Sequence, residues 1–259
     1  MNTARRTQVA ELARRSTLRT MRQPGQIVPA LIFPLFLLAV NSGGLKSATR
    51  IPGFPTDSYL AFALAVPFIQ GALFAVMNAG TDLARDIETG FLNRLALTPL
   101  GGAALLGGLL TGTLLLGVVQ AVTYLVVGLV AGSGFAAGAL GVPVLFALSV
   151  LVTFGFGAIG LFAALRTGSG EAVQGLFPVF FVSLFLSSMA LPRNLIQTDW
   201  FRDVATYNPV SYLIEGFRSL LITGWDTEAL ALGFGIAVAI AIVGIVAATA
   251  ALRTRLVRT

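Results

Sequence analysis

The chain of 259 residues is 56% hydrophobic and only 11% charged, against about a quarter charged in a soluble domain, which is the composition of a protein that lives in a bilayer. Cysteine and histidine are both absent. This excludes disulfides, thiolate nucleophiles and iron–sulfur ligation, and argues against zinc, haem or an imidazole-based catalytic centre. The formal net charge of +6 does not point to nucleic acid, because such a face needs solvated basic residues with base-reading or stacking groups, and here the charges fall between apolar runs.

In chain order, residues 1–26 form a basic leader containing Arg5, Arg6, Arg14, Arg15, Arg19 and Arg22. Val9, Leu12, Ala13 and Ser16 fall on one side at helical spacing. The expectation is an amphipathic helix on the cytoplasmic membrane surface, with a solvated tail as the alternative. A signal peptide with a faint twin-arginine character at Arg14 and Arg15 is disfavoured, because Pro29 and Pro34 interrupt the apolar run and further runs follow.

A helix needs about 20 predominantly apolar residues to cross the hydrocarbon core. Six spans are expected, at 27–42, 59–80, 103–131, 139–165, 172–191 and 229–251. With both termini cytoplasmic, twelve of the 17 Lys and Arg residues lie on the inner side and five on the outer, the asymmetry that orients membrane helices. None of these spans holds an ionisable group in its interior, which weakens a proton- or ion-driven transporter and an intramembrane aspartyl protease. Gln70, Asn78, Gln120 and Gln174 read as hydrogen-bond partners between helices rather than substrate ligands. Pro67, Pro143 and Pro178 predict kinks. Small residues at Ala104, Gly108 and Gly112, and at Gly128 and Gly132, would allow close helix approach.

The segment from Thr81 to Gly101 gathers charge and helix formers between two strong spans. Leu83, Ile87, Phe91, Leu95 and Thr98 recur every three or four residues, with Asp82, Arg85, Asp86, Glu88 and Arg94 elsewhere, so a short interfacial helix is expected, stopped by Pro99, Gly101 and Gly102. Later in the chain, Asn208 and Pro209 set a turn, and the helix after them carries Tyr212, Glu215, Arg218 and Ser219 beside an apolar side of Leu213, Phe217, Leu220 and Leu221. Those roughly thirteen residues are too few to span, and Glu215 and Arg218 are spaced to pair.

Glu88-Thr89-Gly90-Phe91 through Leu95, with Thr98 and Pro99, resembles the E-x-G-T-x-x-x-L-x-x-T-P-L pattern of ABC-2 type permeases, the membrane subunits of daunorubicin-type drug exporters among them. Position 91 is Phe where that pattern commonly has Thr. Asn208, Pro209, Tyr212, Glu215 and Arg218 are similar to the N-P-x-x-Y-x-x-E-x-x-R segment before the last span of the same family, and Met21 to Pro24 resembles its lead into the first helix.

The resemblance implies an all-α integral membrane protein. It would comprise one ABC-2 type domain over 1–259: an interface helix at 1–26, six transmembrane helices, a coupling loop at 81–101 and short re-entrant helices in an extracellular segment at 192–228. It implies that Asp82, Arg85, Asp86, Glu88, Gly90, Phe91, Arg94, Leu95, Thr98 and Pro99 meet an ATPase subunit. The chain contains no G-x-x-x-x-G-K-[ST] phosphate-binding loop, so ATP and magnesium would be held by that partner and no cofactor, metal or catalytic residue is expected here. A second permease subunit, identical or not, and membrane lipid are the other implied partners, in the cytoplasmic membrane. The cargo would be a hydrophobic or amphipathic drug or lipid. A permease for a lipid-linked glycan, a six-helix channel without ATP coupling and an intramembrane enzyme are the alternatives.

Overall fold

A computed structural model describes residues 3–96 and 102–257, and over them the chain is helical with no strand. The helices are α1 (Thr3–Met21), α2 (Pro24–Gly44), α3 (Tyr59–Ala63), α4 (Ala65–Glu88), α5 (Phe91–Ala96) and α6 (Gly102–Val130). There follow α7 (Gly138–Thr167), α8 (Gly170–Gln174), α9 (Phe177–Phe185), α10 (Asp199–Tyr207), α11 (Pro209–Arg218) and α12 (Thr227–Val257). Five stretches are long and apolar enough to cross a membrane: Pro24–Gly44, Tyr59–Glu88, Ala104–Val130, Gly138–Thr167 and Thr227–Arg255.

The expected span at 172–191 is not one helix. Gly170–Phe185 is shorter than the others and divides between α8 and α9, because Pro178 in the first turn of α9 has no N–H for the Gln174 carbonyl. The stretch still runs the length of its neighbour. Near one end a Cβ on Gly80 would lie 2.5 Å from the Val173 side chain, and beyond the other end the Tyr59 hydroxyl donates to the Ala190 carbonyl at 3.0 Å.

The core is built around α4, which meets α2, α6, α7, α8, α9 and α11 and is buried over most of its length. Its contact with α7 is backbone on backbone: a Cβ on Gly160 would fall 2.2 Å from the Val76 carbonyl oxygen. Lipid offers no hydrophobic drive between helices, so such close approach is what holds them. The other side of α7 takes α12, where a Cβ on Gly244 would lie 3.0 Å from the Gly155 carbonyl oxygen. Aromatic rings fill the centre, with Phe68 stacked on Phe217 at 4.8 Å and edge-on to Tyr124 at 5.7 Å.

Prolines within the helices leave carbonyls that must be met in a medium without water. Pro34 cannot donate to Ala30, and two α6 side chains supply the missing bonds, Tyr124 Oη at 2.5 Å and Gln120 Nε2 at 3.3 Å. Gln120 is therefore an interhelical partner, as expected. The small-residue seam on α6 gives the expected close helix approach, and the helix it admits at Gly108 and Gly112 is α1. Leu12 lies over Gly108, while Ser16 Oγ donates to the Leu109 carbonyl at 2.8 Å and accepts from the Gly112 amide at 3.0 Å. Leu12 and Thr20 are buried in that contact, so the apolar side of the leader rests on protein.

Candidate functional site

The Thr81–Gly101 segment is not a single interfacial helix. Asp82 to Glu88 continue α4 without interruption, Gly90 breaks the chain at φ +69°, and α5 begins at Phe91. Only glycine adopts that left-handed conformation without strain, so the turn direction is set at Gly90. Thr98 and Pro99 lie outside the described residues, and Leu95 falls within α5.

Asp82 and Asp86 face inward, toward α1. Asp86, its side chain 4% exposed, accepts two parallel hydrogen bonds from Arg15 at 2.9 and 2.8 Å and a third from Arg19 at 2.9 Å. Arg19 Nε also reaches Asp82 at 3.1 Å. A buried carboxylate is tolerable only when so bonded. Hydrogen bonding to Asp86 in turn holds the Arg15 guanidinium above its ordinary value, against the opposing effect of burial.

The Arg15 guanidinium lies 3.8 Å over the Phe91 ring, and that of Arg94 5.9 Å from it, a cation–π contact. Phenylalanine at the position that departs from the family pattern thus ties α5 to α1. Leu83 and Leu92 are buried in a cluster with Leu12, while Arg85, Glu88, Thr89, Asn93 and Arg94 are exposed. Of the residues assigned to partner contact, then, Arg85, Glu88 and Arg94 point outward and Asp82 and Asp86 do not. Sequence reasoning missed Arg15 and Arg19. The signal was present as two rows of opposite charge, each at i and i+4 on its own helix.

The second motif closes a helical hairpin between α10 and α11. Asn208 Oδ1 accepts from the Val210 amide at 2.9 Å and so caps α11, while Nδ2 donates to the carbonyls of Ser183 and Leu186 at 2.6 and 3.0 Å. Pro209 takes the first helical position, where its missing N–H is harmless. Tyr212 Oη donates to the Thr206 carbonyl at 2.8 Å, tying α11 back to α10. Gly216 faces Gly233 of α12, where an added Cβ would lie 3.3 Å from the opposing Cα.

Glu215 and Arg218 do not pair. Glu215 takes a two-pronged bond from Arg193, Nε at 2.8 Å and Nη2 at 2.6 Å. Arg218 is 6% exposed and donates instead to three backbone carbonyls: Phe62 at 3.0 Å, Ser188 at 2.6 Å and Met189 at 2.7 Å. Its guanidinium also lies 3.5 Å over the Phe62 ring. A buried guanidinium needs several acceptors in its own plane, and the chain breaks at Leu64 and beyond α9 present carbonyls there. Arg193, Glu215, Arg218 and Asp226 line an open cavity of about 440 Å³. Among the described residues no group of three or more acidic side chains stands close enough to hold a metal ion.

The chain shares 29% identity over 209 residues with the daunorubicin resistance ABC transporter permease protein of Streptomyces coeruleorubidus, covering 76% of this chain and 69% of that one. It shares 28% over 207 residues with a probable doxorubicin resistance ABC transporter permease protein of Mycobacterium tuberculosis, covering 76% and 71%. The family model for ABC-2 type transporters matches residues 7–222, a range that takes in most of α1, the Arg15–Asp86 junction, α5 and the Asn208–Arg218 hairpin. The chain is a multi-pass membrane protein that belongs to the ABC-2 type transporter family.

Proposed function

We propose that this chain is the membrane-spanning subunit of an ATP-driven exporter, working with a separate ATPase subunit that docks on the exposed face of Arg85, Glu88, Thr89, Asn93 and Arg94. The observation that carries the reading is the junction of α1, α4 and α5. A spanning helix continues past its apolar window, is clamped by Arg15 and Arg19, and turns at Gly90 into a short helix with charged residues outward. Force applied to α5 passes into α4 directly and, through Asp86 and α1, into α6. The coupling is mechanical and asks for no covalent chemistry from this chain.

In this reading both termini are cytoplasmic, and Gly170–Phe185 with the residues up to Ala190 makes the sixth crossing, since it accompanies α4 from Gly80 to Tyr59. The α10–α11 hairpin lies in the outer leaflet without crossing. Two such subunits, identical or paired with a sister permease, form the pathway in the cytoplasmic membrane. The cargo is hydrophobic or amphipathic, in keeping with the drug-resistance names of the relatives and with spans free of interior charge. The test is co-purification from native membrane: an ATPase that accompanies the wild type and is lost on Arg94→Glu supports the reading, and transport undiminished by scrambling residues 85–94 overturns it.

A further inference from the structure

Gln70 is 2% exposed, in the middle of an apolar core, and its Oε1 meets no hydrogen-bond donor of the protein. A buried amide oxygen left so costs on the order of 1–3 kcal/mol. It lines a small cavity between α2, the α3–α4 break and the chain at Met189 and Ala190, of about 20 Å³, whose wall also includes Asn41, Tyr59, Ala63 and Pro67. A water needs about 10–15 Å³ and two to four polar partners. Pro67 has no N–H to give the Ala63 carbonyl, its normal helical partner. Where Pro34 creates the same problem in α2, a donor from α6 answers it; at Pro67 the nearby group is another acceptor, so only a bridge that donates in both directions can serve both.

We propose that a single ordered water is bound in this cavity, joining Gln70 to the Ala63 carbonyl at the α3–α4 break, with Asn41 and Tyr59 as its further polar neighbours. The Tyr59 hydroxyl, donating to Ala190, keeps a lone pair for it. The Phe62 carbonyl at the same break is taken by Arg218, so the joint is polar on two sides: guanidinium on one, water on the other. The inference is independent of ATPase docking.

The test is millisecond radiolytic hydroxyl labelling of the full chain in lipid nanodiscs, which marks side chains beside bound water even when they are buried. Tyr59 and Tyr124 are buried alike, at 3% and 0% exposure, but only Tyr59 borders the cavity. Tyr59 and Met189 are expected to be modified severalfold faster than Tyr124, with exposed Tyr207 reporting dose. In Gln70→Leu that excess disappears while Tyr207 is unchanged. Tyr59 and Met189 as unreactive as Tyr124 in the wild type, or an excess that persists in a folded Gln70→Leu, overturns the proposal. If Gln70→Leu does not fold, Gln70→Met, of matching length without the polar head, replaces it, and the wild-type comparison decides in any case.

Discussion

Arg15 and Asp86, 71 positions apart in the chain, meet through two parallel hydrogen bonds of 2.9 and 2.8 Å. Arg19 completes the junction on the same carboxylate, so the first helix is fastened to the end of the central one. Asp86→Ala removes the shared acceptor and leaves two guanidinium groups facing each other over an apolar cluster. Breaking a buried pair from one side costs about 3 kcal/mol or more; Arg15 is 39% exposed and can return to water, so a loss of about 2 kcal/mol is expected. Thermal unfolding in detergent measures it, and limited proteolysis should cut α1 free. Asp82→Ala, which leaves Arg19 its bond to Asp86, should cost less. Full protection of α1 in Asp86→Ala contradicts the clamp.

Charge reversal on the outward face should separate binding from folding. Glu88→Lys and Arg94→Glu remove exposed side chains, so stability should stay within about 0.5 kcal/mol of the wild type. Co-purification of the ATPase and stimulation of its turnover by the chain should fall together. Unfolding midpoints that drop with binding would show these residues to be structural instead.

Arg218 should tolerate no substitution, lysine included. The planar fork reaches three carbonyls at once, whereas an ammonium is a single point with a different hydration. Arg218→Ala leaves those carbonyls without their donor and Arg218→Lys serves them in part, so losses of about 3 kcal/mol and about 2 kcal/mol are expected. Urea-induced release of the α10–α11 hairpin, followed by Trp200 fluorescence, reads both. A lysine variant equal to wild type removes the planar-fork argument.

Tyr124→Phe and Pro34→Ala should be coupled. Tyr124 serves the Ala30 carbonyl because Pro34 cannot; losing the hydroxyl costs about 1–2 kcal/mol. With alanine at 34 the amide serves that carbonyl, and the cost of Tyr124→Phe should shrink by at least about 0.5 kcal/mol, the threshold at which a cycle reports interaction. Additive losses would show that the two groups do not share the carbonyl.

Because the chain contains no cysteine, single cysteines give a clean topology map. Residues introduced at Arg94 and at Trp200 should label from opposite sides of sealed vesicles, and one at Thr254 from the side of Arg94. Arg94 and Trp200 labelled from the same side would remove the inward lever.

The sequence by itself determined the membrane class, five of the six expected spans and the location of both motifs, because hydropathy over about 20 residues and short-range turn chemistry at Asn208-Pro209 and Gly90 are local properties. Tertiary structure alone decided what the motif side chains hold. Glu215 and Arg218 stand at pairing spacing along one helix, yet Glu215 goes to Arg193 and Arg218 to the carbonyls of Phe62, Ser188 and Met189. Asp82 and Asp86 read as an outward charged face, yet Arg15 and Arg19 turn them inward. Gly108 and Gly112 read only as small residues that let some helix approach closely, and the helix that does so is α1. Partner choice for a charge or a small residue depends on which backbone arrives beside it and on how many acceptors it brings, and both are fixed only when the helices close around α4.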